Sequence, residues 1–298
     1  MKWALVLSGG GARGLAHIGV IKELERRGVT PPSFIAGSSM GAIIGAMYAI
    51  GWDSARMEAY ARNFDPRNFV DSLAFKLPDV AISRVVQAGA ALGSLLRGHA
   101  VDSGNKAHAE LRRIYGNMRI EDLPIPFACT ASDLASGQPI VQSAGNLADA
   151  VRASMSFPGV FAPVAFDGFL LVDGGVLNNL PCDLAAARGF SRILASDVTP
   201  FREVDPATLT NGLGVLMRCF DMAAEKAQGP ANQFATLTVT SFDGRTAFDF
   251  ENSDTLIDLG ERCARAAGDD LDRFFAKGSS RMASLIAKLF PWKRSRVQ

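Results

Sequence analysis

Along the chain, short unbroken apolar runs alternate with stretches in which apolar residues recur every three or four positions. The runs at Trp3–Leu7, Phe34–Ala36, Pro124–Ala131, Phe169–Val172 and Arg192–Ser196 predict buried strands. Leu15, Ile18, Ile21 and Leu24 predict a helix that reaches about Arg27 and is stopped by Gly28. After residue 39, Ile43, Ile44 and Met47 make the next helix apolar nearly all round, which places it at the centre of a domain. Gly37, Gly41 and Gly45 give that segment one side for close backbone contact. Ile140-Val141 answers the 124–131 strand as a hairpin partner across the turn Ser132–Gly137. A short helix spans Ala148 to Ser156 and is ended by Pro158. The pattern then predicts a helix within 207–227, a strand at Ala235–Thr240 with period two, and a long amphipathic helix within 254–276. Strands alternating with helices imply an α/β fold with a mainly parallel sheet covered on both faces.

Two regions depart from this rhythm. Residues 60–118 read as a helical insert with poor strand signals. Within it Ile82, Val85, Val86, Leu92, Leu95 and Leu96 share one face, interrupted by Gly89 and Gly93. That face suits either core packing or a cap and acyl-chain channel over a site. The tail from Arg281 carries Met282, Leu285, Ile286, Leu289 and Phe290 at helix spacing, then Trp292. Arg281, Lys288, Lys293, Arg294 and Arg296 stand there unopposed by any acid. Residues 278–298 therefore predict a basic amphipathic helix. It can dock on its own domain, on a second copy in a homodimer, or on a membrane surface through residues 281–296. Residues 1–277 show no linker, repeat or low-complexity break, so they are expected to form one domain.

The net charge of +1 gives no footprint for nucleic acid. Cys129, Cys182, Cys219 and Cys263 have neither zinc spacing nor a disulfide framework, and read as free thiols in a reducing compartment. The apolar start at Trp3–Leu7 is too short for a signal peptide or a bilayer span. A cytoplasmic location is expected, with the tail allowing peripheral contact at the inner membrane surface.

The chemistry concentrates where strands break. Gly37-Ser38-Ser39-Met40-Gly41 is a G-x-S-x-G string between an apolar strand and an apolar helix, the sharp elbow that lifts a serine hydroxyl out of a sheet edge. Ser8-Gly9-Gly10-Gly11-Ala12-Arg13-Gly14 joins the first strand to the first helix and makes an anion site of backbone N–H groups. Its glycines formally satisfy G-x-G-x-x-G. A dinucleotide site needs an acid at the end of the second strand, yet no Asp or Glu lies between Glu25 and Asp53. No G-K-[ST] is present for a P-loop. Beside Ser39 the same loop suits an oxyanion hole, to which Met40 can add one N–H.

A serine needs a base. The order Ser…Asp…His requires a late histidine, and the chain has only His17, His99 and His108. His17 shares a helix face with Ile21 and Leu24 and reads as structural, whereas His99 and His108 read as surface residues of the insert. A carboxylate can serve instead. Asp133, Asp173 and Asp197 close apolar strands, at the carboxyl ends where active groups of parallel sheets gather. Asp173 is preferred because Gly174-Gly175 lets the chain pass close to another backbone, while Asp133 caps its own turn.

Together, Gly9-Gly10-Gly11-Ala12-Arg13-Gly14, Gly37-Ser38-Ser39-Met40-Gly41 and Asp173-Gly174-Gly175 resemble the patatin-like phospholipases in order and spacing. Ala131-Ser132-Asp133-Leu134 with Gly137, and Arg152-Ala153-Ser154-Met155-Ser156-Phe157-Pro158-Gly159-Val160-Phe161, add to the likeness. It covers residues 3–200 strongly and continues weakly to about 275; the basic tail lies outside it. The resemblance implies a three-layer α/β/α domain and a Ser–Asp dyad without histidine or cofactor or metal. It makes Ser39 the nucleophile and Asp173 the general base. Gly10, Gly11 and Ala12 would supply oxyanion N–H groups, with Arg13 holding or charging the loop. Ser8 departs from plant members, which often have Asp there. The implied activity is hydrolysis of fatty-acyl esters of lipids or phospholipids through an acyl-enzyme, of phospholipase A, lysophospholipase or esterase type. The alternative is a catalytically silent member that regulates or binds lipid.

Overall fold

A computed structural model describes residues 1–65, 69–71, 100–210, 212–229, 231–245, 247, 249, 250 and 252–276. The apolar face expected over residues 82–96, His99 and the tail from Arg281 lie outside these residues. The main sheet is built from β1 (Ala4–Leu7), β2 (Phe34–Gly37), β4 (Phe127–Asp133), β5 (Pro139–Gln142), β7 (Val164–Phe166), β8 (Phe169–Asp173), β9 (Ile193–Asp197) and β10 (Leu237–Thr240). Its order is β10-β9-β1-β2-β4-β8-β7, with β5 also on β4. Strands β10, β9, β1, β2 and β4 run parallel; β5, β7 and β8 complete the sheet in antiparallel pairs. The helices are α1 (Ala16–Arg26), α2 (Met40–Ala49), α3 (Ser54–Arg62), α4 (Asn105–Tyr115), α5 (Leu147–Ser154), α6 (Cys182–Ala187), α7 (Gly212–Gln228), α8 (Ser253–Ala266) and α9 (Gly268–Phe275).

The central strands are apolar at every position because both faces are covered. Leu5, Leu7 and Ile35 join one core with residues of α1, α2 and α8, while Ala4, Val6, Phe34 and Ala36 join another with Leu180 and Leu184 around α6. This alternation makes the three layers. Helix α2 is buried from Gly41 to Ala49 apart from Tyr48, as its all-round apolar pattern requires. Helices α1 and α8 cross so closely that a Cβ on Gly19 would lie 1.9 Å from the Ile257 carbonyl oxygen, and one on Gly260 would lie 1.9 Å from that of Ala16.

Three expectations need correction. The insert is not wholly helical: β3 (Ala100–Asp102) pairs in parallel with β6 (Gly159–Phe161), too short a strand to show a period of two. The helix expected within 254–276 is two, α8 and α9, meeting at Ala267, where the Gly268 carbonyl accepts from Arg27. Strand β8 does not run with the parallel set. Asp167 and Gly168 both have positive φ (48° and 82°), a tight hairpin that turns β7 back into β8, antiparallel to β4.

Candidate active site

The register of the sheet brings two distant segments to one level. Gly37 of β2 pairs with Cys129 of β4, and Asp173 of β8 pairs with Ala131, two residues further along the same strand. At that level β2 has already turned into the elbow. Ser39 sits there with φ 52° and ψ −122°, a conformation that a residue with a side chain adopts at a cost of about 1–3 kcal/mol. Its surroundings hold it. The Ser39 N–H donates to Ser154 Oγ at 3.0 Å. A Cβ on Gly37 would meet the Gly41 carbonyl at 2.4 Å, and one on Gly41 the Leu7 carbonyl at 2.3 Å, so no larger residue fits either position.

Reversal of β8 aims Asp173 at the elbow from the opposite direction. Ser39 Oγ donates to Asp173 Oδ2 at 2.6 Å, the length of a charge-assisted O–H···O bond. The other carboxylate oxygen accepts the Gly175 N–H at 2.7 Å. Gly174 passes so near β4 that a Cβ would lie 2.4 Å from the Thr130 carbonyl oxygen, the close passage expected of this glycine pair. Asp173 is only 2 % exposed, and burial pushes its carboxyl up to about 6 against the bonds from Ser39 and Gly175. A carboxyl with that value beside a hydroxyl is poised to take its proton near neutral pH.

The glycine loop lies against the same serine. Gly9, Gly10 and Gly11 border a cavity of about 1170 Å³ that also contains Ser39, Met40 and Asp173. The N–H groups of Gly10, Gly11 and Met40 have no acceptor among the described residues. Ala12 is different. Its N–H is donated to the Ala247 carbonyl at 2.8 Å and the residue is fully buried, so it is not an oxyanion donor here. Gly11 has φ +56°, and a Cβ on it would sit 2.1 Å from the same carbonyl. Gly14 leaves room for Met40, whose Cγ would lie 2.3 Å from an added Cβ. Arg13 holds the loop by donating from Nε to the Gly10 carbonyl at 3.3 Å, with its guanidinium 5.8 Å from the Phe242 ring centre.

The other candidates make contacts of their own. His17 is fully buried between the Ser8 carbonyl and Ser196 Oγ, each at 2.8 Å, and burial lowers it to about 4. The carbonyl can only accept, so Nε2 carries the proton and Nδ1 accepts from the serine. His108 lies at the half-buried surface, 2.6 Å from Asp149. Asp133 caps its own turn through the N–H groups of Ala135 and Ser136. Asp197 accepts from the Thr199 N–H. Sequence reasoning missed Ser154, Asn179, Thr199 and Ala247, which hold the elbow and the loop. Ser154 lies in the stretch Arg152–Phe161 that had carried part of the resemblance, but nothing local marked its bond to Ser39.

From the mouth inward the cavity walls are mostly apolar, with Phe201 and Phe242 near Arg202 and Arg218, and Ile43, Met47 and Leu111 among the lining. Among the described residues no cluster of His, Cys, Asp or Glu could hold a metal ion, and no helix is long and apolar enough to cross a membrane.

The patatin-like phospholipase family model matches residues 5–186, which contain the glycine loop, the elbow and Asp173. The chain belongs to this family. It is 32% identical over 291 residues to an uncharacterized NTE family protein, MT2641, of Mycobacterium tuberculosis (strain CDC 1551 / Oshkosh), covering 88% of this chain and 46% of that protein. It is 35% identical over 233 residues to the Mycobacterium bovis NTE family protein Mb1092c, 75% of this chain and 59% of that one. A mouse relative, patatin-like phospholipase domain-containing protein 6, is 34% identical over 232 residues, which are 76% of this chain and 16% of the mouse protein. The chain thus spans about half the length of its mycobacterial relatives. The crystal structure of VipD from Legionella pneumophila shares the fold, with a TM-score of 0.52 at 14% identity over 90% of this chain and 67% of that one.

Proposed function

We propose that this patatin-like chain is a serine acyl hydrolase that cleaves fatty-acyl ester bonds of lipids. The observation that carries the reading is the 2.6 Å contact between Ser39 Oγ and Asp173 Oδ2 beside an apolar cavity. Asp173 takes the hydroxyl proton as Ser39 Oγ attacks the ester carbonyl. Negative charge then develops on the carbonyl oxygen, and the N–H groups of Gly10, Gly11 and Met40 are the donors left to meet it. As the tetrahedral intermediate collapses, Asp173 returns the proton to the departing alcohol oxygen, leaving an acyl-enzyme on Ser39. Asp173 next removes a proton from water, whose oxygen attacks the acyl carbon; as the bond from that carbon to Ser39 Oγ breaks, Asp173 returns the proton to Ser39 Oγ and the fatty acid leaves.

A cavity of about 1170 Å³ with Phe, Met, Ile and Leu walls suits a long acyl chain better than a small polar acid. The residues around the mouth support a substrate drawn from a lipid phase, since Phe201 and Val204 line the cavity and are exposed. Arg202 and Arg218 lie among them and favour a lipid with a phosphate head group. Part of this proposal is that the chain works in the cytoplasm at a membrane surface, with residues 281–296 making peripheral contact or pairing two copies.

Ser39→Ala and Asp173→Asn are expected to lower hydrolysis of a nitrophenyl ester and of mixed liposomes by several decades. Fluorophosphonate is expected to label the wild-type chain at Ser39. Hydrolysis by Ser39→Ala at the wild-type rate overturns the mechanism; a wild-type chain that neither labels nor hydrolyses identifies a silent lipid-binding member instead.

A further inference from the structure

Gly9 is gripped on both sides by two residues outside the sequence motifs. Its N–H donates to the Asn179 side-chain oxygen at 3.1 Å and to the Asn179 backbone carbonyl at 3.2 Å. Only the oxygen end of an amide accepts, so the Asn179 side-chain nitrogen faces away from Gly9 N. It donates to Thr199 Oγ1 at 2.8 Å. The Thr199 hydroxyl then turns its own proton to the Gly9 carbonyl, 3.2 Å away. Three hydrogen bonds close a ring from Gly9 N–H through Asn179 and Thr199 back to Gly9 C=O, an arrangement in which each bond polarises the next. Both side chains sit on fixed backbone: the Asn179 N–H donates to Gln228 Oε1 at 3.0 Å, and the Thr199 N–H to Asp197 Oδ1 at 2.9 Å.

The Gly9 carbonyl and the Gly10 N–H belong to one planar trans peptide and point in opposite directions. A bond that fixes the carbonyl therefore fixes the N–H. That N–H has no acceptor among the described residues, and Gly10 borders the cavity beside Ser39. Asn179 also fills the gap between two glycine motifs, since a Cβ on Gly9 or Gly175 would lie 2.4 or 2.8 Å from its Oδ1. We infer that Asn179 and Thr199 are positioning residues that aim the Gly10 N–H at the oxyanion formed from the bound ester. The inference rests on the acyl-hydrolase reading. Neither side chain needs to touch the reacting atoms; both act through the Gly9–Gly10 peptide.

Thr199→Val removes the hydroxyl and with it two bonds of the ring, while Thr199→Ser keeps it. With p-nitrophenyl butyrate, Thr199→Val is expected to lose about tenfold in kcat, less than the loss of a whole oxyanion donor, with KM within about threefold. Thr199→Ser is expected to recover most of that loss. A trifluoromethyl ketone, which forms an oxyanion on Ser39, should bind Thr199→Val more weakly by the factor lost in kcat/KM. Asn179→Ala should fall on the same line. Titration with fluorophosphonate separates this from misfolding, because the labelled fraction is expected to match the wild type. The inference is overturned if Thr199→Val and Thr199→Ser behave alike. It is also overturned if the lost activity equals a lost labelled fraction, or if ketone affinity does not move. A wild-type chain that neither hydrolyses nor labels overturns the acyl-hydrolase reading first, and this inference with it.

Discussion

With its carboxyl pushed up to about 6 by burial, Asp173 keeps a proton in the fold over a range where the unfolded chain, near 3.8, has already lost it. The folded state binds more protons between these values, so this residue's contribution to stability falls as pH rises through about 4 to 6. By neutral pH the deficit is about 3 kcal/mol. The proposed hydrolysis needs the opposite state, because only the ionised carboxylate can take the Ser39 proton. Wild-type kcat/KM is therefore expected to fall about tenfold per pH unit below 6 and to level off above it. Asp173→Asn should lose several decades of activity and yet melt several degrees above the wild type at pH 8. That advantage should fade towards pH 4, where both side chains are neutral. A variant less stable than the wild type at pH 8 would refute the account. His17 works in the other direction: burial lowers it to about 4, so its share of stability is lost as pH falls from 6.5 towards 4. Melting curves of Asp173→Asn against its parent cancel that common contribution.

At the level of elements, the crossing of α1 and α8 connects helix packing to the glycine loop. Gly260 is mid-helix, where alanine is ordinarily better by about 1 kcal/mol. Here the added carbon would meet the Ala16 carbonyl at 1.9 Å, and backbone on that side cannot yield cheaply. Gly260→Ala is expected to cost about 1–3 kcal/mol in urea unfolding, the range for an overpacked contact. The loop leading into α8 carries Ala247, whose carbonyl holds the Ala12 N–H, so kcat should fall as well. Gly28→Ala serves as the control. It has φ +66° with nothing within 4 Å, so it should cost stability through strain alone and leave kcat unchanged. Equal kcat in both variants would break the link between α8 and the loop. The elbow, the glycine loop and Asp173-Gly174-Gly175 were all legible in the sequence because each is a local string set by close backbone contact. Their supports were not. Asn179 lies 170 positions from Gly9, and Ser154 lies 115 from Ser39, separations that no periodicity records. The Ala12 N–H was misassigned for the same reason, since its acceptor arrives from residue 247. The direction of β8 was readable in principle from Asp167-Gly168, a dipeptide suited to a two-residue hairpin, but the neighbouring strands of three and five residues gave it little frame.

For the molecule as a whole, the family match ends at residue 186, yet the fold does not. Strand β9 lies beyond it and pairs with β1 along Ala4–Leu7; without β9, β1 becomes an unpaired edge of the sheet. Helix α8 covers α1, and Trp3 is buried against Phe274 and Phe275 at ring distances of 6.4 and 5.2 Å. The later segment also supplies Phe201, Phe220, Phe242 and Phe250 to the cavity walls and Ala247 to the glycine loop. The matched segment is thus expected to be insufficient by itself. A chain of residues 1–276 should unfold cooperatively and react with fluorophosphonate at Ser39, whereas residues 1–186 should show no cooperative transition, bind ANS and fail to label. Tryptophan emission gives a direct reading, because both chains contain only Trp3 and Trp52, Trp292 being absent from each. In 1–276 Trp3 is 1 % exposed and its emission should be blue-shifted; in 1–186 it loses its phenylalanine partners and should shift to the red. Cooperative unfolding of residues 1–186 with labelling at the full rate would show that β9 and the helices after it are dispensable, and that the site is held by the matched segment alone.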